Sequence, residues 1–143
     1  MLFGKQTILA VLPRPEDRLA IQNILGRSEW RVRFLRTYPR NRNMTAVAAV
    51  LTEAHLPDGR NWKDVLRKLE EAPNPPPLIV TDRLANEALW SEVLNLGGYD
   101  VLAKPLEQRE VLHVVTMACA FRHKQMTLAS QTGAPHVAGC VAL

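Results

Sequence analysis

The sequence predicts a doubly wound α/β domain in which a five-stranded parallel sheet is covered by helices on both faces. Two observations carry this. Five short runs rich in apolar residues are separated by segments with helical periodicity, and strands alternating with helices imply right-handed crossovers. The third run, Val47 to Leu51, is apolar throughout and ends at Glu53 just before Leu56-Pro-Asp-Gly59, as a buried central strand should. Pro57 cannot continue a ladder because it lacks an N–H, and Asp58-Gly59 offers a turn. Glu53 therefore falls at the carboxyl end of a central strand, where open α/β sheets bind ligands. The plainer reading makes Glu53 a solvated acid at a loop.

Thr7 to Leu12 reads as the first buried strand and stops at Pro13-Arg14-Pro15. Pro15 suits the first position of a helix, and Glu16 and Asp17 favour its positive end. That helix runs to Leu25, with Ala20, Ile21, Ile24 and Leu25 as its apolar face and Gly26 as its stop. Trp30 to Thr37 alternates Arg with Val and Phe, the period of a strand with one solvated side near a sheet edge. Tyr38 to Thr45 is polar and leaves room for a short or irregular second helix of one or two turns.

After the turn, Trp62, Val65, Leu66 and Leu69 take the spacing of an amphipathic helix. Ala72 to Pro77 forms a stiff connector. Leu78 to Thr81 is the fourth strand, Leu84 to Leu96 a helix capped by Gly97-Gly98, and Tyr99 to Ala103 the fifth strand, ending at Lys104-Pro105. Glu107 to about Gln125 is the last helix. The division expected is one domain over residues 1–126 and a flexible tail over 127–143, where the composition becomes small and polar.

The 143 residues suffice for one core, and the apolar fraction of 47% is that of a globular protein. The net charge is +4, with Arg27, Arg31, Arg33, Arg36, Arg40 and Arg42 crowded into one region. The cluster fits either an acidic or nucleic-acid partner or a solvent-facing strand. No groove-reading helix or aromatic stacking motif accompanies it, so nucleic acid is not the expected partner. Cys119 and Cys140 form no CxxC pattern, and His113, His123 and His136 have no ligand spacing. No P-loop, GxGxxG or Ser/His/Asp elbow is present. No run approaches the roughly 18 apolar residues that span a bilayer, and no signal peptide is visible at Met1 to Lys5. The expectation is a soluble cytoplasmic protein that does not contact membranes.

The order of these pieces resembles the receiver domain of two-component response regulators, over roughly Gln6 to Lys124. The residues that carry the likeness are Leu56-Pro-Asp-Gly59, Thr81 at the end of the fourth strand, and Gly97-Gly-Tyr-Asp-Val-Leu-Ala-Lys-Pro105. The resemblance implies a flavodoxin-like (CheY-like) fold with strand order 2-1-3-4-5. It also implies a site in which an acidic pair after the first strand holds Mg²⁺, a third-strand Asp accepts a phosphoryl group, a Thr and a Lys contact it, and a fifth-strand aromatic residue switches rotamer.

This sequence departs from that pattern. The acidic pair falls on Leu12 and Pro13, which offer no side-chain oxygen to a hard cation, so the Mg²⁺ site is expected to be lost. Glu16 and Asp17 lie nearby but look like poor substitutes within the helix. The acceptor position is Glu53, the aromatic position is Val101, and Thr81 and Lys104 are retained. Glu53 is one methylene longer than Asp and could pair with Lys104 while accepting a hydrogen bond from Thr81. The alternative leaves Lys104 as a solvated strand end. A pseudo-receiver that is no enzyme is the first expectation, acting by contact with a kinase, another signalling or output protein, or a second copy. The surface implied is that of the fourth helix, fifth strand and fifth helix, where Trp90 would be an interface anchor unless it belongs to the core. The other readings are a working phosphoacceptor at His55 or Asp58, and an Arg-rich nucleic-acid module.

Overall fold

The computed structural model of the chain describes residues 6–27, 29–37 and 44–132. Its strands are β1 (Gln6–Val11), β2 (Trp30–Leu35), β3 (Val47–Glu53), β4 (Leu78–Asp82) and β5 (Asp100–Ala103). Its helices are α1 (Pro15–Leu25), α2 (Trp62–Leu69), α3 (Glu87–Leu96) and α4 (Gln108–Thr132). All four strand pairings are parallel, in the order β2-β1-β3-β4-β5. This is the CheY-like flavodoxin fold expected from the sequence.

The alternation of side chains along the strands divides the core in two. Ile8, Ala10 and Leu12 point to the layer holding Ile21 and Leu25 of α1 and Val111, Val115 and Ala118 of α4. Leu9, Val11, Val50 and Val80 point to the layer holding Trp62, Val65 and Leu69 of α2 and Val93 of α3. A parallel strand covered on both faces should be apolar throughout. Every residue of β3 is buried, as this predicts for the central strand. β2 lies at the sheet edge and keeps Arg31 and Arg33 exposed, matching its alternating pattern.

Local sequence accounts for most element ends. Asn61 caps α2, its side chain accepting from the Lys63 N–H at 2.8 Å while its own N–H donates to Asp64 at 2.9 Å. Asn86 accepts from the Leu89 N–H at 2.9 Å, so α3 begins at Glu87 and not at Leu84. Gly97 ends α3 with φ +111°, the left-handed conformation in which glycine has no Cβ penalty. Gly26 differs from the expectation. It follows α1 in right-handed geometry, and a Cβ there would lie 2.4 Å from the Gln22 carbonyl, so close approach explains the glycine.

The last helix is longer than the sequence suggested. It runs past Gln125 to Thr132, because Met126, Leu128 and Ala129 are good helix formers and no Gly or Pro intervenes before Gly133. The boundary expected at 126–127 is thus not a break in structure, and 133–143 of the expected tail lies outside the described residues, as do Arg40, Arg42, Cys140 and most of the expected second helix. With that segment uncounted, the fourth helix, fifth strand and fifth helix of the expected scheme are α3, β5 and α4.

Arg122 of α4 ties the connections at Met44 and Asn74 to the start of β3. It is 4% exposed, and its guanidinium donates to the carbonyls of Met44 at 2.8 Å, Val47 at 3.2 Å and Asn74. Burial lowers its pKa from the ordinary arginine value without threatening its charge. Replacing Arg122 with Met would remove all three of these hydrogen bonds, leaving the Met44 carbonyl only the Val47 N–H at 3.1 Å. We expect a loss of about 2–4 kcal/mol in urea unfolding, with Arg122→Lys losing less because one ammonium can serve part of the set.

Candidate functional site

Four elements deliver side chains to one point at the carboxyl end of the sheet. Glu53 is the last residue of β3, Thr81 lies near the end of β4, Lys104 follows β5, and Asp17 sits in the first turn of α1. The pairing of β3 with β4 puts Glu53 opposite Thr81. The Thr81 hydroxyl donates to Glu53 Oε1 at 3.2 Å. Lys104 Nζ approaches the same Oε1 at 2.5 Å and donates to Asp17 Oδ2 at 2.7 Å. The Lys104 side chain is 9% exposed, and those of its two partners 10% each. The expected Glu53–Lys104 ion pair is therefore present, and Glu53 is not a solvated loop acid.

Asp17 is the member that sequence reasoning set aside. Its signal lay in helical spacing, because Asp17, Ile21 and Leu25 are four residues apart and form the buried stripe of α1. Continuing the apolar face back one turn leads to Asp17. Two features hold that turn in place. Arg18 donates to the carbonyls of Leu12 and Pro13, both at 2.8 Å, fastening α1 to the end of β1. The positive end of the helix also favours a carboxylate in its first turn.

The cluster combines one cation with two carboxylates. Burial opposes the charge on Lys104. The hydrogen bonds that Lys104 donates to Asp17 and Glu53, and the field of both carboxylates, outweigh it, and the ammonium pKa is raised above its ordinary 10.5. A cleft above the cluster is lined by Arg14, Glu16, Asp17, Arg83, Lys104 and Pro105, and the Lys104–Pro105 peptide bond is cis. Neither Leu12 nor Pro13 presents a side-chain oxygen, so Asp17 and Glu53 are the carboxylates of the cluster available to a metal, and both are engaged by Lys104. Among the described residues, no group of three or more His, Cys, Asp or Glu side chains is placed to hold a metal ion.

The other candidates lie apart from this point. Asp58 serves the turn, accepting from the Arg60 N–H at 3.1 Å with the Arg60 guanidinium 3.6 Å away. His55 is exposed and bridges to Asn61. Val101 is half-buried and packs on the α2–α3 layer of the core. With Trp90, Ala103 and Glu110 it lines a shallow cleft between α3 and α4. Trp90 faces outward, 48% exposed, and its indole N–H donates to Asp100 at 3.3 Å. Cys119 is buried, which pushes its thiol up to about 11 and keeps it protonated and unreactive.

No model of a protein family matches the sequence, and no curated protein matches it. Solved structures do. A signal receiver domain of an HD domain-containing protein from Pseudomonas fluorescens Pf-5 superposes with a TM-score of 0.74 at 21% identity, covering 89% of this chain and 96% of that one. A CheY-like response regulator receiver domain from Methanospirillum hungatei JF-1 gives 0.72 at 18%, covering 85% and 99%. The receiver domain of sensor histidine kinase PA1611 from Pseudomonas aeruginosa PAO1, which has a magnesium ion coordinated in its active-site cleft, gives 0.65 at 22%, covering 82% and 99%. At these identities the likeness establishes the fold.

Removing the cation from this cluster should cost more than removing one acid. Lys104→Met leaves two buried carboxylates facing each other and is expected to destabilise the fold by about 3 kcal/mol; adding Glu53→Gln and Asp17→Asn should recover most of that. Because the Lys104 pKa is raised on folding, its stabilisation is complete below 10.5 and is lost as pH rises through the higher folded value. Thermal unfolding from pH 8 to 12 should therefore show an alkaline loss of stability in the parent that is smaller in the triple variant.

Proposed function

We propose that this chain is an atypical receiver domain that signals through protein–protein contacts without accepting a phosphoryl group, and that it is a binding module and not an enzyme. The observation that carries this reading is Lys104 held against both Glu53 and Asp17 at the carboxyl end of the sheet. Phosphoryl transfer relies on positioning and on neutralising charge, for which receiver chemistry uses Mg²⁺. Here an internal ammonium neutralises the carboxylates, and Leu12 and Pro13 contribute no metal ligand. Glu53 stands at the acceptor position with Oε1 already accepting from two donors. The fold and the receiver-domain neighbours support a signalling role. The cluster supports phosphorylation independence and the loss of the Mg²⁺ site.

The contact surface that fits best is α3, β5 and α4, where exposed Trp90 adjoins Val101 and Glu110. A kinase, an output protein or a second copy could dock there. A cytoplasmic location belongs to the same reading; no helix among the described residues is long and apolar enough to cross a membrane. A relocated acceptor at Asp58 or His55 has less support, since Asp58 is bound to Arg60 and His55 is exposed and bridges to Asn61. A nucleic-acid role for Arg31, Arg33 and Arg36 has exposure in its favour, but the aromatic residues of the same strand, Trp30 and Phe34, are packed into or against the core.

Intact-mass spectrometry after incubation with Mg²⁺ and a small-molecule phosphodonor tests the reading. The expected result is no added phosphoryl mass in the parent or in Glu53→Asp. A phosphorylated parent would overturn the proposal, and the modified residue would tell Glu53 from Asp58 and His55.

A further inference from the structure

We infer that the outer edge of β2 receives a strand from a protein partner, one in which acidic and apolar residues alternate. This edge is at the opposite side of the sheet from β5. The inference therefore goes beyond the α3, β5 and α4 surface and does not depend on whether the chain takes phosphate. Among the described residues β2 pairs with β1 alone. The Leu35 carbonyl accepts from the Leu12 N–H at 3.0 Å. Backbone direction alternates along a strand, so Arg31, Arg33 and Leu35 bond inward to β1. The N–H and C=O groups of Val32 and Phe34 then point outward, where the described sheet has no further strand.

The two faces of this edge differ in chemistry. Val32 and Phe34 are half-buried and pack against the layer of α1 and α4. Arg31 and Arg33 point to the other face and are exposed. Two residues apart on a strand, they are spaced by about 7 Å. Cover on their face stops at β1, where Leu9, aligned with Arg33, is only 2% exposed. Among the described residues neither arginine forms an ion pair. Residues 1–5, 28, 38–43 and 133–143 contain no Asp or Glu. A carboxylate that pairs with Arg31 or Arg33 has to come from another molecule.

The charge pattern selects the occupant. Charged side chains on an edge deter unwanted strands, and here they deter a second copy. Pairing β2 with another β2 sets arginine beside arginine, and like charges across a ladder are destabilising. A phosphate backbone would match the arginines and leave the outward N–H and C=O groups of Val32 and Phe34 without strand partners. A strand with an acid at every second position matches all of these features. Its acids meet Arg31 and Arg33 on one face, its apolar residues meet Val32 and Phe34 on the other, and its main chain completes the ladder.

Fluorescence anisotropy of a labelled peptide of repeated Glu-Val, titrated with the full chain to millimolar concentration, tests this. The alternating peptide should bind, and less tightly as salt is raised. A peptide of the same composition with its Glu and Val in separate blocks should bind about tenfold more weakly. Replacing both arginines, Arg31→Gln with Arg33→Gln, should also weaken binding about tenfold, because two exposed ion pairs are lost. Val32→Pro removes one outward N–H and leaves the charges in place, and an edge strand tolerates proline at such a position. It should weaken binding about fivefold. Thermal unfolding of the variants shows that weak binding is not a folding defect, and if the proline unfolds the strand, the arginine variant and the blocked peptide still decide. No binding of the alternating peptide, or equal binding of the blocked one, would overturn the inference. Unchanged binding by a folded Val32→Pro would do the same. So would tighter binding of a single-stranded oligonucleotide, which would assign the arginines to nucleic acid. Phosphate uptake is read by mass and strand binding by anisotropy, so the two proposals fail separately.

Discussion

The ammonium of Lys104 sits between the carboxylates of Glu53 and Asp17, and much of the architecture at this end of the sheet depends on it. Without the cation, two acids about 10% exposed would face one another at the focus of a parallel sheet. Desolvation would then act on both with no charge to offset it. With the cation in place, the end of β3, the turn after β5 and the first turn of α1 are fixed to one another, and Thr81 adds β4 through its hydroxyl. These elements are far apart in sequence. The fold brings them together because parallel strands place all their carboxyl ends on one side, and each following helix begins at that side before running back to the amino ends.

An internal cation differs from a bound metal or a phosphoryl group in one decisive respect. It is covalently part of the chain, so its local concentration does not change with any signal. A receiver that recruits Mg²⁺ and phosphate has two states because those groups come and go. The cluster described here has its neutralising charge built in, and Val101 at the aromatic position offers no ring to move in response. This asymmetry is why the proposed function is contact without switching. It also moves attention to surfaces that carry exposed apolar side chains permanently, among them Trp90 on α3 and Met117, Phe121 and Leu128 on α4.

The fold was legible because its signals are local and repeated. The apolar runs of β1, β3 and β4, the alternation of β2 and the spacing of Trp62, Val65, Leu66 and Leu69 each fix an element without reference to the others. The Glu53–Lys104 pair was legible through the resemblance, which supplied the long-range proximity that spacing cannot. Asp17 was not, because an acid in a first helical turn has a sufficient local explanation in the helix dipole. Its buried stripe with Ile21 and Leu25 was visible, but reading an acid into an apolar face requires knowing that a buried cation waits there. Arg122 was hidden for the same reason. Its partners Met44, Val47 and Asn74 are backbone carbonyls, which carry no side-chain signature at all.

The extent of α4 follows from a related competition. Small and polar residues after Thr127 suggested a tail by composition, yet composition is a weak guide when no residue breaks the helix. The extension carries Leu128, an exposed apolar residue, beyond the turns anchored by Arg122 and by Phe121 on Tyr99. The buried arginine and the exposed leucine are thus features of one element.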